Sequence, residues 1–124
     1  ARGLARVERY DDGRLTISQL SAEDFEATAA EESYSEGVID HLRAVRGTAM
    51  AALARDRLGA SDADGARVRK VSLRAGDMRV DVSAIARALG GGGHRAAAGF
   101  TTSLPWQELV DFLRAQLAAQ LHDK

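Results

Sequence analysis

Four consecutive glycines followed by a histidine and an arginine, Gly90-Gly91-Gly92-Gly93-His94-Arg95, are the residues of this chain best suited to chemistry. A glycine in regular backbone costs on the order of 0.5–1 kcal/mol relative to alanine, so four in a row call for a compensating role. Bare main chain lets an anion approach the backbone N–H groups, which together form a concavity for it. His94 at the edge adds a ring donor, and a cation when protonated. Arg74, after the strand-like Val71-Ser72-Leu73, supplies a fixed positive charge. Together these residues read as a site that grips phosphate. Taken alone, the glycine run would be a helix stop followed by a turn, with His94 an ordinary surface residue. The small residues Ala96, Ala97, Ala98 and Gly99 permit close approach of neighbouring backbone, and they also fit tight core packing.

Other chemistries find less support. There is no cysteine, which removes disulfides, thiolate metal sites and cysteine nucleophiles and fits a reducing, cytoplasmic compartment. His41, His94 and His122 are scattered, without carboxylates at ligand spacing, and Asp62 with Asp64 lacks the other ligands of a calcium loop. The glycines match neither the Walker lysine-serine pattern nor the dinucleotide fingerprint. No apolar run approaches membrane-spanning length, so no membrane partner is expected.

The elements that must position the site alternate between strand and helix patterns. Leu4 to Leu20 reads as a hairpin about Asp12-Gly13, with Leu15, Ile17 and Leu20 on its buried side. Ser21 and Asp24 stand at capping-box spacing, predicting a short helix toward Ala30. Val38, Leu42 and Val45 share a second helical face that Gly47 ends. Residues 48–58 admit two states, since their alanines favour a helix by propensity while the span between breakers is strand-sized. Gly59 to Gly65 reads as a surface loop. From Val68 to Arg74 a strand places Val71 and Leu73 on one face and Lys70, Ser72 and Arg74 on the other. Met78, Val80 and Val82 alternate again. A helix follows from Ser83 to Leu89, capped by Asp81 or Ser83, and the glycines end it. Ala96 to Thr102 forms a last strand. Leu104 to Leu121 is a long helix with Pro105 in its first turn and Trp106, Leu109, Leu113 and Leu117 on its apolar face. The expected fold is α+β (α/β-like): a small mixed sheet of about five strands, flanking helices and a long C-terminal helix.

With 124 residues and 45% hydrophobic content, the chain suffices for one compact core, so residues 1–124 are expected to form a single domain. A net charge of -1 argues against a surface that grips duplex nucleic acid along its length. The total hides an asymmetry. Glu23, Asp24, Glu26, Glu31, Glu32, Glu36 and Asp40 form an acidic block that reads as a solvated face. Arg67, Arg69, Lys70, Arg74, Arg79, Arg87 and Arg95 form a basic block that overlaps the candidate site.

Val71-Ser72-Leu73-Arg74, Val80-Asp81-Val82-Ser83-Ala84-Ile85-Ala86, the glycine-histidine run and Ala97-Ala98-Gly99-Phe100 together resemble the DHH-associated C-terminal substrate-binding domain. The likeness is to the nanoRNase and phosphoadenosine-phosphate phosphatase group, a branch related to RecJ-like exonucleases. It implies a strand at residues 48–58, against their propensity. It also implies a metal-dependent hydrolase of short oligoribonucleotides or nucleoside bisphosphates. In such enzymes a separate N-terminal domain holds two metal ions, usually manganese. This chain, which opens at Ala1 without a leader, is then a fragment lacking that domain, with no catalytic residue or cofactor of its own. By residue match, Arg74, Gly91, Gly92, Gly93 and His94 would contact the phosphate and nucleotide. The implied partners are a nucleotide or short single-stranded oligonucleotide and the chain's own N-terminal catalytic domain, with a homodimer left open. Ala75 and Ala96 stand where the family often has serine and asparagine, departures that bear on side-chain hydrogen bonds of the family's site and leave the glycine-histidine core intact. A rival reading is a non-catalytic RNA-binding module similar to the C-terminal domain of alanyl-tRNA synthetases.

Overall fold

The computed structural model describes residues 7–20, 31–61, 65 and 67–122. Its elements are β1 (Val7–Tyr10), β2 (Leu15–Leu20), α1 (Glu31–Arg43), β3 (Met50–Ser61), β4 (Arg67–Ala75), α2 (Val82–Ala88), β5 (Gly92–His94), β6 (Ala97–Thr102) and α3 (Trp106–Gln120). The six strands make one sheet in the order β1-β2-β3-β4-β6-β5. Only the β2–β3 pair is parallel, joined by the crossover through α1; every other neighbour is antiparallel.

Strand alternation divides the core into two layers. Leu15, Ile17, Met50, Ala52, Val71, Leu73, Ala98 and Phe100 point to one face, where they meet α2 and α3 through Ile85, Leu109, Leu113 and Leu117. Leu20, Ala51 and Leu53 point to the other and pack on Val38, Ile39 and Leu42 of α1. Helix α1 lies over β2, β3 and the near part of β4. On that second face, β6 and β5 carry no described helix.

The α+β class and the long C-terminal helix are as expected, and the hairpin turns where Asp12-Gly13 predicts, with positive φ at Asp11, Asp12 and Gly13. Residues 50–61 form the strand that the resemblance implied against propensity. The alanines are the reason. Buried on both faces between β2 and β4, Ala51, Ala52 and Ala54 leave room for the layers to close, and ladder hydrogen bonds outweigh a weak helical preference.

Several expectations need correction. The expected sheet of about five strands is met by six among the described residues, since Gly92–His94, read as part of a helix stop, pairs with β6 as an edge strand. Strand β3 continues to Ser61, inside the span read as a loop. Helix α1 ends at Arg43, so Val45 lies beyond it and is exposed, and Ile39 takes the third apolar place. The alternation of Met78, Val80 and Val82 is no strand: Asp77 accepts from the Arg79 backbone N–H at 2.8 Å, forming a tight turn. That turn leaves Met78 93% exposed while Val80 is buried. Trp106 is half-buried, with the Arg69 guanidinium 5.6 Å from its ring centroid. The helix predicted from Ser21 lies outside the described residues.

Asp81 caps α2, accepting from the N–H groups of Ser83 and Ala84. The Ser83 hydroxyl also donates to it at 2.6 Å, and these bonds hold the carboxyl below its ordinary range. A carboxyl whose folded pKa is depressed contributes fully above its unfolded pKa and loses that contribution as pH falls through the folded value. Asp81→Ala is therefore expected to lower stability by about 1 kcal/mol at neutral pH. Denaturant melts between pH 7 and pH 2 should show the gap to wild type narrowing toward acid.

Candidate functional site

Strand register brings Arg74 and His94 together. Arg74 of β4 lies opposite Ala97 of β6, and Ala97 lies opposite His94 of β5. Directly paired residues point to the same face, so Arg74 and His94 flank Ala97 on the face that α1 leaves open. Two strand spacings separate their backbones, roughly 10 Å. The next row is Ser72, Gly99 and Gly92, whose two glycines make a bare floor beside the pair.

The four glycines divide by role. Gly90 has φ of 84° and closes α2, its N–H bonded to the Arg87 carbonyl. Gly91 donates its N–H to the Ala86 carbonyl, and a Cβ there would lie 2.2 Å from the Gly99 carbonyl oxygen. Gly93 has φ of 145°, and its Cβ would lie 2.5 Å from Ala98 Cα. A Cβ on Gly92 would meet nothing within 4 Å. Gly91 and Gly93 thus let β5 approach β6, whereas only open space faces the Cβ side of Gly92. Because β5 is an edge strand, alternate N–H groups of Gly92, Gly93 and His94 point away from β6 and stay available to a ligand.

Arg74 is nearly covered, its side chain 14% exposed. Its Nη1 donates to the Leu73 carbonyl at 2.9 Å and its Nη2 to Glu36 Oε1 of α1 at 2.9 Å. Glu36 is the residue that sequence reasoning missed, since it stood among acids read as a solvated face. No local pattern marks it; the contact spans 38 positions of the chain.

Most of the basic block turns out to be structural. Arg95 donates to the Met78 carbonyl at 3.0 Å and lies 3.7 Å from Asp81, tying the β5–β6 turn to the loop before α2. Arg79 holds Asp77, whose pKa falls to about 2 through the side-chain and backbone hydrogen bonds from Arg79. Arg69 lies against Asp56 and Trp106, and burial lowers its pKa. Arg87 donates to Ser83 Oγ at 3.1 Å. A cavity of about 390 Å³ opens at Ala75, the end of β4, and Ala96, just before β6, and is walled by Met78, Val80 and Arg95; Ala75 and Val80 belong to the layer that packs on α2 and α3 and not to the Arg74–His94 face. Among the described residues no three His, Cys, Asp or Glu side chains converge as metal ligands, so what is described here does not fit a two-metal centre. No helix among them is long and apolar enough to cross a membrane.

The model of the DHHA1 domain matches residues 12–123. The chain belongs to the DHHA1 family. This is the DHH-associated domain that its motifs resemble. No curated protein matches the chain. Among solved structures it is similar to an exopolyphosphatase-related protein from Bacteroides fragilis, with a TM-score of 0.66 at 20% identity over 94% of this chain and 32% of that one. It is also similar to a pGpG-specific phosphodiesterase from Vibrio cholerae, with a TM-score of 0.51 at 12% identity over 95% of this chain and 36% of that one. At these identities the likeness is one of fold, and the DHHA1 chain spans about a third of the length of each.

The division among the glycines is directly testable. Gly91→Ala must push β5 off β6 and is expected to destabilise by at least about 2 kcal/mol. Gly92→Ala should melt within about 0.5–1 kcal/mol of wild type. Urea denaturation of the two variants checks the contrast.

Proposed function

We propose that the chain is the substrate-binding domain of a metal-dependent phosphoesterase, and that Arg74, His94 and the outward N–H groups of β5 hold the phosphate of a nucleotide or short oligonucleotide, with Gly91, whose own N–H is bonded to Ala86, shaping the loop beside it. The observation that carries this reading is the Arg74–Ala97–His94 row beside a bare glycine floor, on a sheet face that no described helix covers. A phosphate lying over Ala97 meets a guanidinium on one side and an imidazole on the other. Arginine offers a planar fork of donors that suits phosphate oxygens, and a protonated imidazole adds a second charge. The outward N–H groups of β5 supply further donors at the edge.

Such a site positions and neutralises the phosphate, which are the two contributions that fixed donors make to phosphoester cleavage. Water activation falls to a manganese pair in a separate N-terminal catalytic domain, whose ions would lower the pKa of bound water and polarise the phosphoryl group. A nucleoside bisphosphate or a short oligoribonucleotide is the proposed substrate.

Titration of the chain with adenosine monophosphate and a short oligoadenylate, without metal, is the test. Amide shifts by NMR should map to Gly91–Ala97. Arg74→Ala and His94→Ala should each weaken binding by about tenfold or more, the loss expected for a hydrogen bond to a charged group. Absence of any shift at millimolar ligand would sink the reading. So would steeply salt-dependent binding of long RNA with none of the mononucleotide, which would favour the RNA-binding module instead.

A further inference from the structure

Arg74 is bonded to Glu36 of α1 and stands one strand away from His94 across Ala97. In the sheet, Arg74 is paired with Ala51 of β3 on one side and with Ala97 of β6 on the other. Ala51 belongs to the apolar cluster that seats α1, together with Val38, Ile39 and Leu42. Glu36, on the helix that this cluster seats, bonds Arg74, and His94 lies beyond Ala97 on the β6 side. A guanidinium has five N–H groups. The bonds from Nη1 to the Leu73 carbonyl and from Nη2 to Glu36 leave the others, Nε–H included, for an anion.

We propose that Glu36 is a positioning residue for phosphate binding: it fixes the Arg74 fork in advance and turns its unused N–H groups toward His94. The inference rests on the binding reading given above. An arginine side chain has several rotatable bonds whose freedom is otherwise lost when ligand binds, and fixing them beforehand raises affinity. Against this stands repulsion between the Glu36 carboxylate and the bound phosphate. Glu36 is 58% exposed, so solvent and salt screen that repulsion. Preorganisation and repulsion act with opposite signs, which makes the direction of the effect diagnostic. Through this residue α1, which packs on the other half of the sheet face, becomes part of the site.

Calorimetry of the chain with adenosine monophosphate decides the matter. Glu36→Ala is expected to weaken binding by about fivefold to tenfold, while its thermal midpoint stays close to that of wild type, as for other exposed ion pairs. Glu36→Gln keeps an acceptor oxygen for Nη2 and should recover most of the affinity. The Arg74 Nε–Hε resonance, sharp in wild type, should broaden in Glu36→Ala and sharpen again in Glu36→Gln. In an Arg74→Ala background, Glu36→Ala should cost nothing further. If Glu36→Ala binds as well as wild type or tighter while Arg74→Ala loses affinity, Glu36 competes with phosphate or is idle; the positioning role is then overturned and the phosphate site stands. If the wild-type chain binds no adenosine monophosphate, the site and this role fall together.

Discussion

The close approach of β5 to β6 is the constraint on which the candidate site depends. Gly91 sits where a side chain would strike the Gly99 carbonyl and Phe100, and Gly93 where one would strike Ala97 and Ala98. Without that contact the three residues of β5 would be a loose continuation of the α2 stop, and His94 would have no fixed relation to Arg74. With it, the ladder sets both the distance and the face. Gly99 extends the same logic to the other edge of β6, where its Cβ would lie 2.9 Å from the Val71 carbonyl oxygen of β4. Glycine thus serves here less as a flexible hinge than as a means of packing three backbones together.

Electrostatics follow from that scaffold. Read along the chain, residues 67–95 look like a cationic patch, yet in space most of the charges face partners. Asp56, Asp77, Asp81 and Glu36 each take one or two of the arginines. Charge clustering in sequence therefore overstates the positive field at the site. What distinguishes Arg74 is its place: a nearly covered fork beside a bare glycine floor, on the uncovered half of the sheet. The other arginines tie loops and strands together, as Arg95 does between the β5–β6 turn and the loop that opens α2.

The DHHA1 assignment and the site geometry bear on different questions. Family membership rests on a match over most of the chain, and the structural likenesses show that the fold recurs within larger proteins. What the site holds is argued from its chemistry: donors and positive charge converge on one sheet face, and the described residues offer no convergent set of metal ligands.

The sequence alone was enough for the α+β class, the hairpin, the helix that Asp81 caps and the long C-terminal helix, and it singled out Arg74 and His94 as candidates. Those signals are local: alternation of period two, helical spacing, turn dipeptides and an uninterrupted glycine run. It misread residues 59–61, 78–82 and 92–94, where local patterns admit more than one state and the neighbouring strand or turn decides. Residues 50–58 needed the family resemblance, because alanine-rich backbone prefers a helix until two flanking strands offer ladder bonds. Tertiary structure alone decided that Gly91 and Gly93 hold strands together while Gly92 faces open space, since identical residues in a row differ only in what lies across from them. It alone joined Glu36 to Arg74, because no periodicity links a helix residue to a strand residue 38 positions away.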